Sequence, residues 1–299
     1  MKTMIRLTAN ICLIIAVMVP PCTAAESNNF PEAFTAAMQL KAKPAEAEAA
    51  FVKLAESQEA GTYQKMRQAN AWFQAADSAG AQGQIERASA LADKIPEPAL
   101  KTLAKMKLLE RQKKFKEIMD VAKNENIAAW PGALVFEAAM CRAAAAIGQT
   151  DFATAEADLI LAGRFMLNPT QKADAKYRLG NLYRDNIKDD AKAMQAYDEL
   201  LAFSPLNFRY YYAAMSYARL AAKNNRAEDG LKRLGRLSTD ITKQSPYFTA
   251  ETLECYGDVY SAMGKKDEAL ASYRKVIESE FAPEHIKKAA KTKMERLTK

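Results

Sequence analysis

The chain holds a single histidine, His285, in 299 residues. That scarcity closes several kinds of chemistry at once. A Ser-His-Asp or Cys-His relay would have to run through His285 itself. Neither a helical HExxH zinc site nor a two-histidine metal centre can be assembled. No GxSxG nucleophile turn and no Walker-type or GxGxxG phosphate loop occurs. Glycine and proline are few, 11 of each, so strands joined by tight turns are not expected. His285 reads as a solvated residue near a helix start. The sequence therefore predicts no catalytic residue, no cofactor and no metal site.

What is present favours helix. Ala, Lys, Glu and Leu dominate, and these are strong helix formers. The length is enough to bury a core in one or two domains. The first residues read as a targeting segment: Lys2 and Arg6, then the apolar run Ile11 to Val19, then Pro20-Pro21 and the small residues Thr23, Ala24 and Ala25. Cleavage is expected after Ala25. A membrane span needs roughly 20 apolar residues, and the prolines stop this run short. Pro20 and Pro21 also stand where a lipoprotein signal ending at Cys22 would want small residues. No usable N-glycosylation acceptor follows, because Pro169 blocks Asn168-Pro169-Thr170. The expected location is exported, periplasmic or secreted, in a bacterium.

The formal net charge of +7 is unevenly placed. Lys287, Lys288, Lys291, Lys293, Arg296 and Lys299 crowd the tail with one acid, Glu295, and the rest of the exported chain balances. A neutral body argues against a basic groove for nucleic acid.

Periodicity is the most informative feature. From Ala250 the chain reads AETLECYGDVYSAMGKKDEALASYRKVIESEFAP, with Gly257, Tyr260, Gly264, Ala269, Tyr273 and Pro283 at regular stations. From Ala173 it reads ADAKYRLGNLYRDNIKDDAKAMQAYDELLAFSP, with Leu179, Gly180, Tyr183, Ala193, Tyr197 and Pro205 in the same order and one extra residue in the turn. Small residues permit close approach of two helices, and tyrosines supply buried area. Asn207 to Pro246 is a weaker copy with Tyr210, Ala214, Tyr217, Ala227, Leu231 and Leu234. Upstream the pattern decays through Leu134–Asn168, Ala99–Asn124, Thr62–Ile95 and Phe30–Ser57. The two best copies resemble the tetratricopeptide repeat family. The resemblance implies an all-α, right-handed α-solenoid of about seven helix-turn-helix repeats with a C-terminal capping helix. The expected organisation is a signal peptide over 1–25, a degenerate repeat region over 26–172, well-matched repeats over 173–283 and a basic capping helix over 284–299. A compact helical bundle is the alternative for the first half. Ile286, Ala290, Met294 and Leu297 recur on one face of the last helix, which suits a cap.

The remaining side chains with chemical potential have plain readings. Cys141 and Cys255 behave as small buried hydrophobes. In a solenoid they lie three repeats apart, about 10 Å per repeat, too far for a disulfide, which needs Cα atoms within about 7 Å. Asp185, Asp189 and Asp190 suit helix caps rather than a calcium site, which needs six or more oxygens. Glu46 and Glu48 fall on different helix faces and make no acid–base dyad.

The family resemblance implies protein–protein interaction, with a partner's peptide or helix lying in the concave groove lined by first helices. Carried over position by position, that groove would show Arg142, Tyr177, Asn181, Arg184, Phe208, Tyr211 and Met215, with Glu254 and Asp258 beyond. This is not a lysine- and asparagine-rich carboxylate clamp. Of the run Tyr210-Tyr211-Tyr212, Tyr210 is expected to pack inside, and at least one tyrosine must point away from the core. The function expected is a non-catalytic adaptor or scaffold of the cell envelope or secretory space. Two alternatives remain. One is an anionic lipid or polymer module acting through Lys287, Lys288 and Lys291. The other is a solenoid-bodied hydrolase, which would need a catalytic lobe that no break in the repeats provides.

Overall fold

The computed structural model describes residues 30–57, 64–202, 208–237 and 245–298. The expected signal peptide, Pro205 and Lys299 lie outside the described residues. Within them the chain forms fifteen α-helices and no strand. They are α1 (Phe30–Gln39), α2 (Pro44–Glu56), α3 (Gln64–Ala81), α4 (Ile85–Asp93), α5 (Pro98–Arg111), α6 (Phe115–Ala122), α7 (Gly132–Gly148), α8 (Phe152–Arg164), α9 (Pro169–Asn181), α10 (Asp190–Leu201), α11 (Phe208–Lys223), α12 (Ala227–Leu237), α13 (Pro246–Ala262), α14 (Lys266–Glu278) and α15 (Glu284–Thr298). They make seven helix pairs and one terminal helix, the α-solenoid plan. None of the described helices is long and apolar enough to cross a membrane.

The chain divides into two compact units, Met1–Gln171 and Lys172–Lys299. In both, first helices pack on their own second helices and on the next first helix, as α3 does on α4 and α5 and α11 on α12 and α13, and second helices touch the next first helix, as α2 does α3 and α12 does α13. The principal contacts thus run between pairs adjacent in sequence, which is stacking rather than a closed bundle.

Local chemistry explains the helix ends. Asp151 and Asp189 accept the backbone N–H groups of Thr154 and Lys192 at 3.1 and 2.9 Å, and Asn168 accepts that of Gln171 at 2.9 Å. Each satisfies a donor that the helix itself leaves open. Pro44 and Pro98 stand at helix starts, where a missing N–H costs nothing. Asp190 instead binds Lys223 and Asn224, and Asp185 binds Arg184.

The turn inside each pair is built alike from the second pair on. One residue takes positive φ: Gly83, Lys113, Thr150, Lys188, Asn225 and Gly264 in turn. In five of the six, the next residue donates its N–H to the carbonyl five positions back, as Lys265 does to Tyr260 at 3.0 Å and Asp151 to Ala146 at 2.9 Å. At the sixth, Asp189 reaches six positions back, to Tyr183 at 2.9 Å. The extra residue seen in the sequence is absorbed there as a π turn over Leu182–Ile187. Glycine fits the left-handed position without strain, whereas a β-branched residue such as Thr150, at φ 59°, is strained. Thr150→Gly should therefore stabilise the protein by about 1 kcal/mol. A thermal melt checks this, and an unchanged or lower midpoint would contradict it.

The first unit is built on an alanine-rich core with Phe51, Phe73, Ile95, Leu100, Leu103, Met106 and Ile118 as its bulk. Charged bridges link its successive first helices. Asp77 on α3 is held by Lys41 at 3.1 Å and by Arg111 of α5 at 2.6 Å, and Lys107 of α5 meets Glu137 of α7 at 2.8 Å. Burial by itself would raise the Asp77 pKa, but Lys41 and Arg111 overcome it and hold the carboxyl at about 2. Unfolded, the group titrates near 4. Its contribution is therefore complete above pH 4 and disappears as pH falls through 2. Removing that dependence with Asp77→Asn should flatten an acid melt of the protein between pH 4 and pH 2, where the native carboxylate loses about 2 kcal/mol.

Candidate partner-binding surface

The surface of the second unit follows from how its helix pairs cross. A Cβ added to Gly257 would lie 2.3 Å from the Tyr273 ring, and one added to Gly180 would lie 2.4 Å from the Tyr197 ring. Each glycine is the seat of a tyrosine from the second helix. Each tyrosine hydroxyl then donates to the residue beside that glycine, Tyr273 to Asp258 at 2.9 Å and Tyr197 to Asn181 at 2.6 Å. Tyr183, Ala193 and Ala269 are buried around these crossings, and Tyr260 is half-buried.

The pair between them keeps the plan with other residues. A Cβ on Gly230 would lie 2.9 Å from the Ala218 carbonyl oxygen, so this crossing is Ala218 against Gly230. The sequence pattern Tyr210, Ala214, Tyr217 put it one helical turn earlier. The turn residue settles the register. Asn225 corresponds to Gly264, and counting back seven from each gives Ala218 and Gly257.

That shift corrects two groove residues. Tyr211 is 0% exposed and stacks on Phe248 at 4.6 Å, and Met215 is 3% exposed. Both are core residues, because α11 is rotated relative to the register assumed from its tyrosines. Tyr210 is buried as well, and the tyrosine of the run that points outward is Tyr212.

The other expected residues fall into different settings. Asn181 is engaged by the Tyr197 hydroxyl. Arg184 grips Asp185 through two bonds of 2.7 Å and reaches Ser216 Oγ at 2.6 Å. Arg142 belongs to the first unit, where it forms a bidentate pair with buried Asp158 at 2.8 and 2.7 Å. Its charge is thus spent inside one helix pair, and it is not brought together with the others.

Tyr177 and Phe208 do lie at a surface, in company the sequence did not single out. Tyr212 stands 6.3 Å from both rings, and Phe248 stands 5.8 Å from Tyr212 and 5.7 Å from Tyr247. Arg209 lies over the Tyr177 and Phe208 rings at 5.2 and 4.4 Å and pairs with Asp174 at 2.7 Å. Phe208 is 36% exposed and Tyr247 37%. These side chains gather at the N-terminal ends of α11 and α13 and beside α9. A turn-based register would have found Tyr212 and Glu251, which are equivalent positions in successive pairs.

Further along, the inward positions carry a charge network. Arg219 donates to Asp258 at 2.9 Å, and Lys293 of the terminal helix reaches Glu254 at 2.8 Å and Asp258 at 2.7 Å. Burial works against the Arg219 charge, but Asp258 and Glu254 raise its pKa. The terminal helix also seats Ile286 and Ala290 among Ala250, Tyr273 and Val276, with Met294 and Leu297 against them. Of the tail lysines, Lys288 and Lys291 are exposed, and Lys287 lies 3.7 Å from Glu284.

Among the described residues the cysteines, Cys141 and Cys255, keep their thiols away from solvent. Both are free and buried, and burial pushes Cys255 up to about 12 and Cys141 higher still. Among the described residues no cluster of His, Cys, Asp or Glu could hold a metal ion.

Comparison with known proteins points to one family. Residues 186–299 match the family described as "Tetratricopeptide repeat-like domain". Among solved structures the chain is similar to a tetratricopeptide repeat protein from Parabacteroides merdae ATCC 43184, at 12% identity and a TM-score of 0.44, over 91% of this chain and 99% of that one. It is also similar to the P58(IPK) TPR domain, at 13% identity and a TM-score of 0.26, over 91% of this chain and 98% of that one. No curated protein sequence matches. A fold of this kind supports a general role in protein interaction. By the match over 186–299, and by the Gly257–Tyr273 crossing built there, that segment is similar to the tetratricopeptide repeat family.

Proposed function

We propose that the chain is a non-catalytic adaptor of the cell envelope or secretory space, holding a peptide or helix of another protein against the first helices of its second unit. The observation that carries this reading is the row Tyr177, Phe208, Tyr212, Tyr247 and Phe248. Aromatic side chains with partial exposure and an arginine among them are the residue types that dominate binding energy at interfaces. The basic n-region, short apolar run and small residues before Glu26 support export. N-terminal sequencing of the exported protein should begin at Glu26. A chain beginning at Met1 and held in the membrane would contradict it.

The competing reading gives the binding to exposed Lys288 and Lys291 with an anionic surface. Position-specific photocrosslinkers separate the two. Placed at Phe208 or Tyr247 in cells, a crosslinker should give a protein adduct that persists in high salt, because apolar contacts are not screened. Placed at Lys288, it should give none. Adducts only from Lys288, lost in high salt, would replace the adaptor reading with the surface-binding one.

A further inference from the structure

One polar group in the aromatic row has no counterpart. Glu251 on α13 is half-buried, one helical turn along from Tyr247, with Tyr212 close to both. Its second oxygen, Oε2, is buried and has no hydrogen-bond partner among the described residues. The position matters. Glu251 is equivalent to Tyr212 in the preceding pair and to Asp174 in the one before. Asp174 has Arg209 at 2.7 Å and Arg178 at 3.4 Å. Among the described residues Glu251 has no cation in contact: Arg219 is committed to Asp258 and Glu254, Lys293 to the same two, and Arg209 to Asp174.

A carboxylate oxygen taken out of water and left unbonded is costly in the free protein. The cost disappears when a donor arrives from outside. Burial raises the Glu251 pKa, against the opposing influence of Tyr247, Arg219 and His285, while Glu254 adds to the rise. The faces around it are those of Tyr212, Tyr247 and Phe248, and a cation is attracted to such faces. Tyr247, 37% exposed in the first turn of α13, is the ring that must turn aside to admit one.

We infer that Glu251, with Tyr212, Tyr247 and Phe248, forms a subsite for the side chain of a lysine or arginine carried by a bound peptide, with apolar residues beside it on Phe208. This rests on the adaptor reading and names the chemistry of its partner. The ammonium or guanidinium bonds Oε2 of Glu251, and the rings cover its stem.

A phage-displayed heptapeptide library panned on the full chain tests this. The selected peptides should carry Lys or Arg next to an apolar residue and should bind Glu251→Gln about tenfold or more weakly, with Lys288→Gln unchanged. The thermal midpoint of Glu251→Gln should stay level or rise, since an unpaired charge is removed. On the peptide side, replacing Lys by norleucine or Arg by citrulline should reproduce the loss with the native protein. That arm does not depend on the folding of any variant. Selected peptides without a cation, or peptides that bind Glu251→Gln as well as the native chain, would overturn the subsite. If those peptides still lost binding to Phe208→Ala, the adaptor reading would stand. Selection of no peptide sensitive to Phe208→Ala or Tyr247→Ala would overturn both.

Discussion

Gly257→Leu should destabilise the protein by about 3 kcal/mol, at the upper end of the usual cost of overpacking a core. Even a Cβ at that position lies 2.3 Å from a Tyr273 ring carbon, and the contact lies between two helices that cannot separate without exposing Val276 and Ala269. The ring cannot step aside, because its hydroxyl is anchored on Asp258. The pairing gives a direct check. Tyr273→Leu shortens the opposing side chain, so Gly257→Ala in that background should cost far less than in the native protein. Additive melting shifts in the four-member cycle would mean that the two residues do not meet.

A larger loss is expected when the chain is ended at Pro283. That truncation removes the α15 face formed by Ile286 and Ala290, uncovers Ala250 and Val276, and withdraws Lys293 from Glu254 and Asp258. Arg219 is then the one described cation paired with the two carboxylates, and Asp258 keeps the Tyr273 hydroxyl besides. Breaking a buried pair by removing one partner costs about 3–5 kcal/mol, and Lys293 is partly exposed, so its share is smaller, about 2 kcal/mol. Circular dichroism should therefore show the truncated chain losing more helix than the fifteen residues of α15, because α13 and α14 unravel with it. Lys293→Met, which keeps the apolar stem, isolates the charge and should give the smaller effect. A truncated chain that loses only the signal of α15 would show that the terminal helix is an ornament on a self-sufficient repeat.

The helix pairs were legible because their determinants are local. Gly180 and Tyr197, or Gly257 and Tyr273, sit 16 or 17 residues apart, within one pair. The turn between Gly257 and Tyr273 is announced by Gly264 in the left-handed position, whereas that between Gly180 and Tyr197 carries Lys188 there. The first unit has no glycine–tyrosine crossing among its described residues and an alanine-rich core, and it reads as a decayed pattern for that reason. The middle pair of the second unit misled differently. Its close crossing uses glycine on the second helix and alanine on the first, so the tyrosines nearby set a false register. The candidate surface was the least legible part. Its side chains are fixed by contacts between pairs, such as Arg209 to Asp174 and Arg219 to Asp258, across 35 and 39 residues. Which of three consecutive tyrosines faces outward depends on the rotation of a helix that only its neighbours decide.

The two buried cysteines turn the two units into separate clocks. Cys141 lies on α7 in the first unit and Cys255 on α13 in the second, and folding hides both thiols from solvent and from ionisation. An alkylating reagent can reach either one only when its helix opens. Each labelling rate is then the opening equilibrium of that helix multiplied by the reactivity of an ordinary thiol. In a chain carrying serine for the two N-terminal cysteines of the sequence, Cys12 and Cys22, peptide-resolved alkylation would time the breathing of each unit in the same sample without any added probe. A ligand seated on the second unit would slow the Cys255 clock and leave that of Cys141 running.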